Sequence, residues 1–204
     1  MILAGIYHAD AGATVVVEVR LEGPEVSLMA VTDGSRVIPL AAARDFKRAR
    51  DGDSGPNTGG MGAYSPLADV TDELVAEVVT KVLEPAVKQL AEDGCAYRGV
   101  LYAGLMLTAD GVRVLEFNAR FGDPEAQVVL PRLKSDTVRL LLEAARGDLS
   151  PVAELEWDPR PCVGVVIASG GYPDTYETGF PIQGLAPIPP GILVFHADTR
   201  YVPV

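Results

Sequence analysis

Residues 100–117 of this 204-residue chain read VLYAGLMLTADGVRVLEF. Two apolar runs, Val100–Leu107 and Val112–Phe117, flank Ala109-Asp110-Gly111, a pattern that predicts two strands joined by a hairpin turn. Because strands joined by so short a connection run antiparallel, this stretch indicates an antiparallel sheet.

The segments before the hairpin predict more strands and a long loop. Apolar runs separated by Gly23-Pro24 and Asp33-Gly34 predict strands at Thr14–Arg20, Glu25–Val31 and Arg36–Leu40. The stretch from Arg44 to Pro66 is dense in glycine and predicts a long loop, and such loops are usually functional.

Helices are predicted on both sides of the hairpin. Thr71 is the expected N-cap of a helix that reaches about Ala91 and bends at Pro85. After the hairpin, helices are expected at Pro124–Leu133, with Asp123 as N-cap, and at Asp136–Ala145. A buried strand at Val163–Ala168 follows a proline-rich stretch. The order predicts an α+β fold with an antiparallel sheet and packed helices over residues 1–149, and a second domain over 150–204.

Composition narrows the class of partner. The formal charge of -11 disfavours nucleic acid, since that binding depends on neutralising phosphates. No apolar run is long enough to span a bilayer and no signal peptide is recognisable, so a cytoplasmic protein with no membrane partner is expected. Cys95 and Cys162 lack metal-ligand spacing and are expected to be free, largely buried thiols.

The strand ending in Glu116, Asn118 and Arg120 holds the sharpest chemical pattern. Alternation along a strand places these three side chains on one face, about 6.6 Å apart at each step. Carboxylate and carboxamide oxygens suit Mg²⁺, and a guanidinium can hold a phosphoryl group. The alternative is the solvated face of a half-buried strand.

Two other segments carry weaker patterns. Glycines in Gly55–Pro66 let backbone N–H groups converge on an anion, and Lys47 and Arg48 supply cations just before them. The alternatives are a flexible connector and a solvated face. The Glu18–Glu25 segment could offer backbone groups to an adenine and a carboxylate to a ribose, or could be a plain surface turn.

Together these segments resemble the phosphoribosylamine–glycine ligase family of the ATP-grasp superfamily. The matching stretches run in the family's order and are Val15–Ser27, Asp45–Arg48, Asp53–Pro66, Leu101–Met106, Glu116–Glu125 and Gly170–Pro173. The resemblance implies an ATP-grasp core followed by the start of a small β-rich C-terminal domain.

The resemblance also implies chemistry and residue roles. ATP would phosphorylate glycine, and 5-phosphoribosylamine would attack the acyl phosphate. Glu116 and Asn118 would hold Mg²⁺ or Mn²⁺, and Arg120 would stabilise the transferring phosphoryl group. Glu18, Val19 and Leu21 would meet adenine and Glu25 the ribose. The substrates glycine and phosphoribosylamine would contact a larger set: Asp45, Lys47, Arg48, Asn57, Thr58, Gly59, Gly60, Met61, Gly62 and Asp123.

The chain departs from the family in residues and in length. Val19 replaces a usual acid, Phe46 a usual histidine and Asp198 a usual glycine. Typical members begin with a further α/β domain and the first part of the ATP clamp, so a truncated form is expected, with apolar surfaces that favour self-association. The alternatives are another ATP-grasp ligase or carboxylase, or a non-catalytic nucleotide- or metal-binding remnant.

Overall fold

A computed structural model of the chain describes residues 15–202. Within these residues, nine strands and four α-helices follow one another. The strands are β1 (Glu25–Thr32), β2 (Val37–Pro39), β3 (Arg44–Asp45), β4 (Arg48–Arg50), β5 (Ser54–Asn57), β6 (Gly62–Ser65), β7 (Gly99–Thr108), β8 (Gly111–Asn118) and β9 (Cys162–Val165). The helices are α1 (Asp72–Val78), α2 (Glu84–Glu92), α3 (Ala126–Val129) and α4 (Thr137–Arg146).

The main sheet has four strands in the order β2-β1-β7-β8, and all its neighbours are antiparallel. Strands β7 and β8 form the hairpin expected from residues 100–117, with Thr108 opposite Gly111 at its end. A bulge between Gly104 and Leu105 shifts the register, so that Gly104 lies opposite Glu116. The antiparallel sheet predicted from the sequence is confirmed.

Strand β1 is buried on both faces of this sheet. Leu28 and Ala30 point into a core formed with α1 and α2, whereas Met29 and Val31 point into a second core formed with α3 and α4. A strand covered by helices on both sides needs an unbroken apolar run, which is why Val26 to Val31 contains only one polar residue.

The helix predicted from Thr71 to about Ala91 is present with an interruption. The Thr71 side chain accepts a hydrogen bond from the Leu74 N–H, as an N-cap does. A π-helical turn, Val79–Leu83, separates α1 from α2 just before Pro85, whose missing N–H disrupts the regular ladder. None of the helices in residues 15–202 is long and apolar enough to cross a membrane.

Two of the expected elements in the first third of the chain are wrong. Residues 15–20 of the strand predicted at Thr14–Arg20 form no strand and are exposed, while Thr14 lies outside the described residues. The long loop predicted from Arg44 to Pro66 instead contains strands β3 to β6. They are only two to four residues long, too short for a clear alternating pattern in the sequence.

The helix predicted at Pro124 begins later than expected. Its first residue is Ala126 with Glu125 at the N-cap, so Asp123 is not the N-cap. The helix is four residues long and continues as a 3₁₀ turn, Leu130–Arg132. The second predicted helix is confirmed as α4, with Asp136 capping the Arg139 N–H and Gly147 ending it in the left-handed conformation.

The strand predicted at Val163–Ala168 is shorter and less buried than expected. It appears as β9, which pairs with β6, and Val163 and Val165 are 71% and 79% exposed. Cys95 is exposed and Cys162 half-buried, so the prediction of largely buried thiols is wrong for Cys95. Both are free, as expected.

The residues after 150 begin by packing against the same core. Val152, Leu155 and Trp157 contact it, and the buried Arg132 side chain donates hydrogen bonds to the Asp158 and Arg160 carbonyls. The division into domains at residue 150 stays a prediction.

Candidate active site

One face of the main sheet gathers the polar residues of three strands. Ser27 on β1 lies opposite Gly104 on β7, which in turn lies opposite Glu116 on β8. The Asn118 amide donates to a Glu116 carboxylate oxygen at 3.2 Å, so these two side chains share a face, as the alternation predicts. Asn118 lies opposite Tyr102.

Because Gly104 has no side chain, the Glu116 side chain can lie in the space next to it. A Cβ added at Gly104 would lie 3.1 Å from the Glu116 Cγ and 3.5 Å from the Tyr102 ring. The Glu116 side chain therefore lies across the backbone of β7, towards β1.

Lys47 is the cation that faces this surface. Its ammonium group pairs with the Glu25 carboxylate and lies 3.9 Å from an Asp45 oxygen. Asp45 ends β3, and its side chain is only 5% exposed. The structure thus brings together Glu25, Asp45 and Lys47, which the sequence assigned to two different ligands.

Charge and burial shift the pKa values of this group. Burial lowers the pKa of Lys47, but the Glu25 hydrogen bond and the negative charges of Asp45, Glu25 and Glu116 outweigh it, so the pKa is raised. Burial raises the pKa of Asp45, assisted by the charge of Glu125 and opposed by that of Lys47. Lys47 therefore stays protonated near neutral pH, and its positive charge pairs with the carboxylates of Glu25 and Asp45.

The glycine loop, residues 58–62, is closed by its own hydrogen bonds. The Thr58 N–H and hydroxyl both donate to the Lys47 carbonyl, the Gly60 N–H donates to the Thr58 hydroxyl, and the Met61 N–H donates to the Phe46 carbonyl. The Gly59 N–H donates to the Tyr172 hydroxyl at 3.3 Å. Each of these four amides has a partner within the protein, and the two Thr58 hydrogen bonds hold the Lys47 carbonyl in place.

Other predicted ligands lie around this centre, and all but Gly62 are exposed. Arg120 is exposed and donates to the Phe121 carbonyl, and Asp123 is exposed and accepts from the Gln127 side chain. Arg48 donates to the Gly55 carbonyl within the β4–β5 hairpin, where Asn57 is its cross-strand partner. Gly62 is buried, and its carbonyl accepts from the Phe46 N–H.

The segment predicted to hold adenine stands apart from these contacts. Glu18 and Val19 are exposed, Leu21 is half-buried, and the nearby ion pair between Arg20 and Glu22 spans 3.9 Å with both side chains largely exposed. Their assignment to adenine stays a prediction. Glu25, four residues beyond Leu21, does face the cluster through Lys47.

Two of the chain's departures have visible consequences. Phe46 stacks on Tyr64 with ring centroids 5.9 Å apart, so an aromatic platform flanks Lys47. Asp198 has a φ of 52°, in the left-handed region that glycine adopts without strain, which explains the family's usual glycine there.

The sequence analysis missed Ser27, Tyr102 and Glu125 as members of the site. All three are buried, and their side-chain oxygens lie within 2.9 Å of one another. The signal was present, because Ser27 and Tyr102 are polar residues in otherwise apolar strands. Ser27 also shares the strand face of Glu25.

The donor set at Glu116 and Asn118 fits a hard metal ion. Two oxygen-bearing side chains lie side by side on one face, and within residues 15–202 no group of three His, Cys, Asp or Glu residues surrounds a common point. A metal held here would take its remaining ligands from phosphate oxygens and water, which is how Mg²⁺ commonly binds.

Comparison with known proteins agrees with the fold and the motifs. Residues 1–126 match the family model described as phosphoribosylglycinamide synthetase, ATP-grasp (A) domain. The chain is 56% identical over 197 residues to the phosphoribosylamine–glycine ligase of Streptomyces coelicolor, covering 95% of this chain and 47% of that protein. It is 53% identical to that of Halalkalibacterium halodurans, covering 93% and 44%.

A solved structure is similar as well. The crystal structure of phosphoribosylamine–glycine ligase from Thermotoga maritima matches with a TM-score of 0.70 and 38% identity, over 81% of this chain and 42% of that one. The fold is therefore an ATP-grasp core of the α+β class. Within this class, the chain belongs to the phosphoribosylamine–glycine ligase family, and it spans about half the length of the curated relatives that it matches.

Proposed function

We propose that this chain carries the metal-binding and substrate-holding part of an ATP-dependent ligase that joins glycine to 5-phosphoribosylamine in purine biosynthesis. The observation that carries the proposal is the sheet face on which Glu116 and Asn118 lie side by side, with Lys47 paired to Glu25 on β1 of the same sheet. Family membership supports this reaction, and this face supplies groups that the reaction needs.

The reaction has two steps. A glycine carboxylate oxygen attacks the γ-phosphorus of ATP, which forms a glycyl phosphate and releases ADP. The amine of phosphoribosylamine then attacks the acyl carbon, and phosphate leaves as the amine loses a proton. Phosphoryl transfer of this kind needs alignment and charge neutralisation more than a covalent nucleophile. The cluster fits this need because it supplies oxygen ligands and a cation but no activated nucleophile.

Glu116 and Asn118 would hold Mg²⁺ or Mn²⁺ against the ATP phosphates. When bound, the metal neutralises charge on the phosphate oxygens. Arg120 follows on the same chain segment and would stabilise the phosphoryl group in transfer. Glu18, Val19 and Leu21 would contact the adenine and Glu25 the ribose.

Lys47 and Asp45 would hold the reacting substrates beside that metal. Lys47 is kept charged by its neighbours, and its backbone is fixed through Thr58, so it presents a cation at a defined place. Arg48, Asn57, residues 59–62 and Asp123 would complete the substrate surface.

The chain's exposed apolar side chains support a further part of the proposal, self-association. Val163, Val165 and Ile167 occupy every second position of this segment, and they are 71%, 79% and 94% exposed. Such a row of apolar groups in water favours burial against another surface. The proposed enzyme acts on small-molecule substrates in the cytoplasm and has no nucleic-acid or membrane partner.

Binding of ADP in the presence of Mg²⁺ tests the site directly. Calorimetric titration of this chain should show ADP binding that requires Mg²⁺, and Glu116→Ala should weaken it by about tenfold or more, roughly the 1.4 kcal/mol of one lost charged contact. Glu92→Ala removes an exposed carboxylate from α2 and serves as the matched control. Equal affinity in the wild type and Glu116→Ala would remove the metal assignment.

An assay of ADP release from ATP, run beside this titration, addresses the remaining alternative, a non-catalytic nucleotide- or metal-binding remnant. Mg²⁺-dependent ADP binding without glycine-dependent ADP release would favour that alternative. Release of ADP from ATP that requires both glycine and phosphoribosylamine would exclude it.

A further inference from the structure

A triangle of buried oxygens lies beneath the candidate site. The Glu125 carboxylate accepts hydrogen bonds from the Ser27 hydroxyl at 2.9 Å and the Tyr102 hydroxyl at 2.8 Å, and these two hydroxyls are 2.7 Å apart. Glu125 and Ser27 are each 3% exposed, and Tyr102 is 5% exposed. A buried carboxylate is costly unless donors satisfy it, so this one holds β1, β7 and its own turn together.

The turn that carries Glu125 is anchored at its other end too. The Gly122 N–H donates to the Met29 sulfur at 3.3 Å, and the Gly122 carbonyl accepts from the Ala126 N–H. Residues 122–125, hereafter the anchored turn, are thus fixed to the main sheet at both ends. Asp123 lies within the anchored turn, and Arg120 lies two residues before it.

The glycine loop rests on this turn. Gly60 is buried with a φ of +125°, and a Cβ added there would lie 2.4 Å from the Pro124 Cδ. Only a glycine allows so close an approach of the residue 60 backbone to the Pro124 ring. The position of Pro124 therefore limits the position of Gly60, and through the loop's hydrogen bonds that of Lys47.

We propose that Glu125 is a positioning residue. Its carboxylate holds the anchored turn against the sheet, and the anchored turn then fixes the positions of the glycine loop and Lys47. The proposal deepens the proposed function and rests on it for the identity of the ligands. The Glu125 carboxylate is buried, and it is assigned no contact with substrate or metal. It acts through the two hydroxyl donors on one side and Pro124 on the other.

The carboxylate acts here through its hydrogen bonds. The carbonyl oxygen of a glutamine can accept from the same two hydroxyls in the same space. Glu125→Gln should therefore keep the anchored turn in place, whereas Glu125→Ala leaves two buried hydroxyls without an acceptor and opens space beneath the turn. Tyr102→Phe removes a single donor and leaves the ring in place.

Hydrogen exchange of this chain, resolved by residue, tests the proposal without any ligand. In Glu125→Ala and Tyr102→Phe, the Gly60, Met61 and Gly122 amides should exchange about tenfold faster, while β1 amides keep their wild-type rates. In Glu125→Gln all these rates should match the wild type. Tyr97→Phe is the matched control. The Tyr97 hydroxyl donates to the Val100 carbonyl at 2.7 Å, and neither residue belongs to the anchored turn.

The outcomes separate cleanly. Faster exchange at Gly122 alone, with Gly60 and Met61 unchanged, would overturn the coupling between the turn and the loop. Glu125→Gln behaving as Glu125→Ala would overturn a role through hydrogen bonds. If Glu125→Ala does not fold, Tyr102→Phe decides. Titration of the same variants with Mg²⁺ and ADP reports on the proposed function separately, since exchange rates are read whether or not the wild type binds.

Discussion

Gly104 and Glu116 face each other across β7 and β8, and their contact decides how the metal ligand is presented. An added methyl group at Gly104 would lie 3.1 Å from the Glu116 Cγ, closer than ordinary contact. We expect Gly104→Ala to move the Glu116 side chain and to weaken Mg²⁺-dependent ADP binding by about tenfold, or about 1.4 kcal/mol. Calorimetry would measure it.

Gly170→Ala is the matched control, since a Cβ added at Gly170 meets no atom within 4 Å. Its affinity should equal that of the wild type. Unchanged affinity in Gly104→Ala, with the fold intact by circular dichroism, would show that the orientation of Glu116 across β7 is not needed for binding.

Asp33 supports the fold away from the site. Its carboxylate accepts from the Ser35, Arg36 and Leu149 N–H groups. Burial raises the pKa of Asp33, but these hydrogen bonds outweigh it and lower the pKa from 3.8 to about 2. Because the folded pKa lies below the unfolded one, the stabilisation is complete above pH 3.8 and is lost as the pH falls towards 2. It amounts to about 2 kcal/mol.

Asp33→Asn should therefore lower the free energy of unfolding by about 2 kcal/mol at pH 7, and the difference from the wild type should shrink below pH 4. Urea denaturation at several pH values measures this. Asp110→Asn, at the exposed hairpin turn, should leave stability unchanged. A gap between wild type and Asp33→Asn that stays constant down to pH 2 would contradict the assignment.

At the scale of elements, two helices begin with side-chain caps. Thr71 accepts from the Leu74 N–H at 3.3 Å, and Asp136 accepts from the Arg139 N–H at 3.0 Å. Replacing either by alanine should cost about 1 kcal/mol of unfolding free energy. Thr80→Ala is the control, because that hydroxyl bonds back to the Ala76 carbonyl within the helix and contributes little. Equal stability in all three variants would show that the caps do not stabilise the helices.

The sequence predicted the elements whose patterns are long. Strands β1, β7 and β8 and helix α4 each contain enough residues for periodicity and capping residues to be read, and all were found close to their predicted positions. Strands β3 to β6 were missed because two to four residues carry no period. Strands β3 and β6 form by pairing with residues farther along the chain, as β6 does with β9, whereas the short strands β4 and β5 pair with each other.

The candidate site was predicted only in part for a similar reason. Alternation predicted that Glu116, Asn118 and Arg120 share one strand face. This is confirmed for Glu116 and Asn118, but β8 ends at Asn118 and Arg120 lies beyond the strand. That Lys47 pairs with Glu25, and that Glu125 accepts a hydrogen bond from Ser27, depends on contacts across 22 and 98 residues of chain. A local sequence pattern cannot reveal contacts between residues so far apart along the chain.

For the molecule as a whole, the exposed row at Val163, Val165 and Ile167 predicts self-association. Sedimentation velocity should show a sedimentation coefficient that rises with protein concentration, and Val165→Lys should reduce that rise because a charge opposes apolar burial. Val138→Lys, at an exposed valine on α4, should have no effect. A monomer at every concentration would contradict the proposal.

The most direct measurement is release of ADP from ATP in the presence of Mg²⁺, glycine and freshly generated phosphoribosylamine. It should be run with this chain and with a full-length Streptomyces coelicolor relative in which this chain's residues replace the matching 197-residue stretch. We expect the full-length chimaera to release ADP only when both substrates are present, and Glu116→Ala to abolish that release. A folded chimaera that is inactive, or one equally active with Glu116→Ala, would contradict the assignment of these residues to the ligase site.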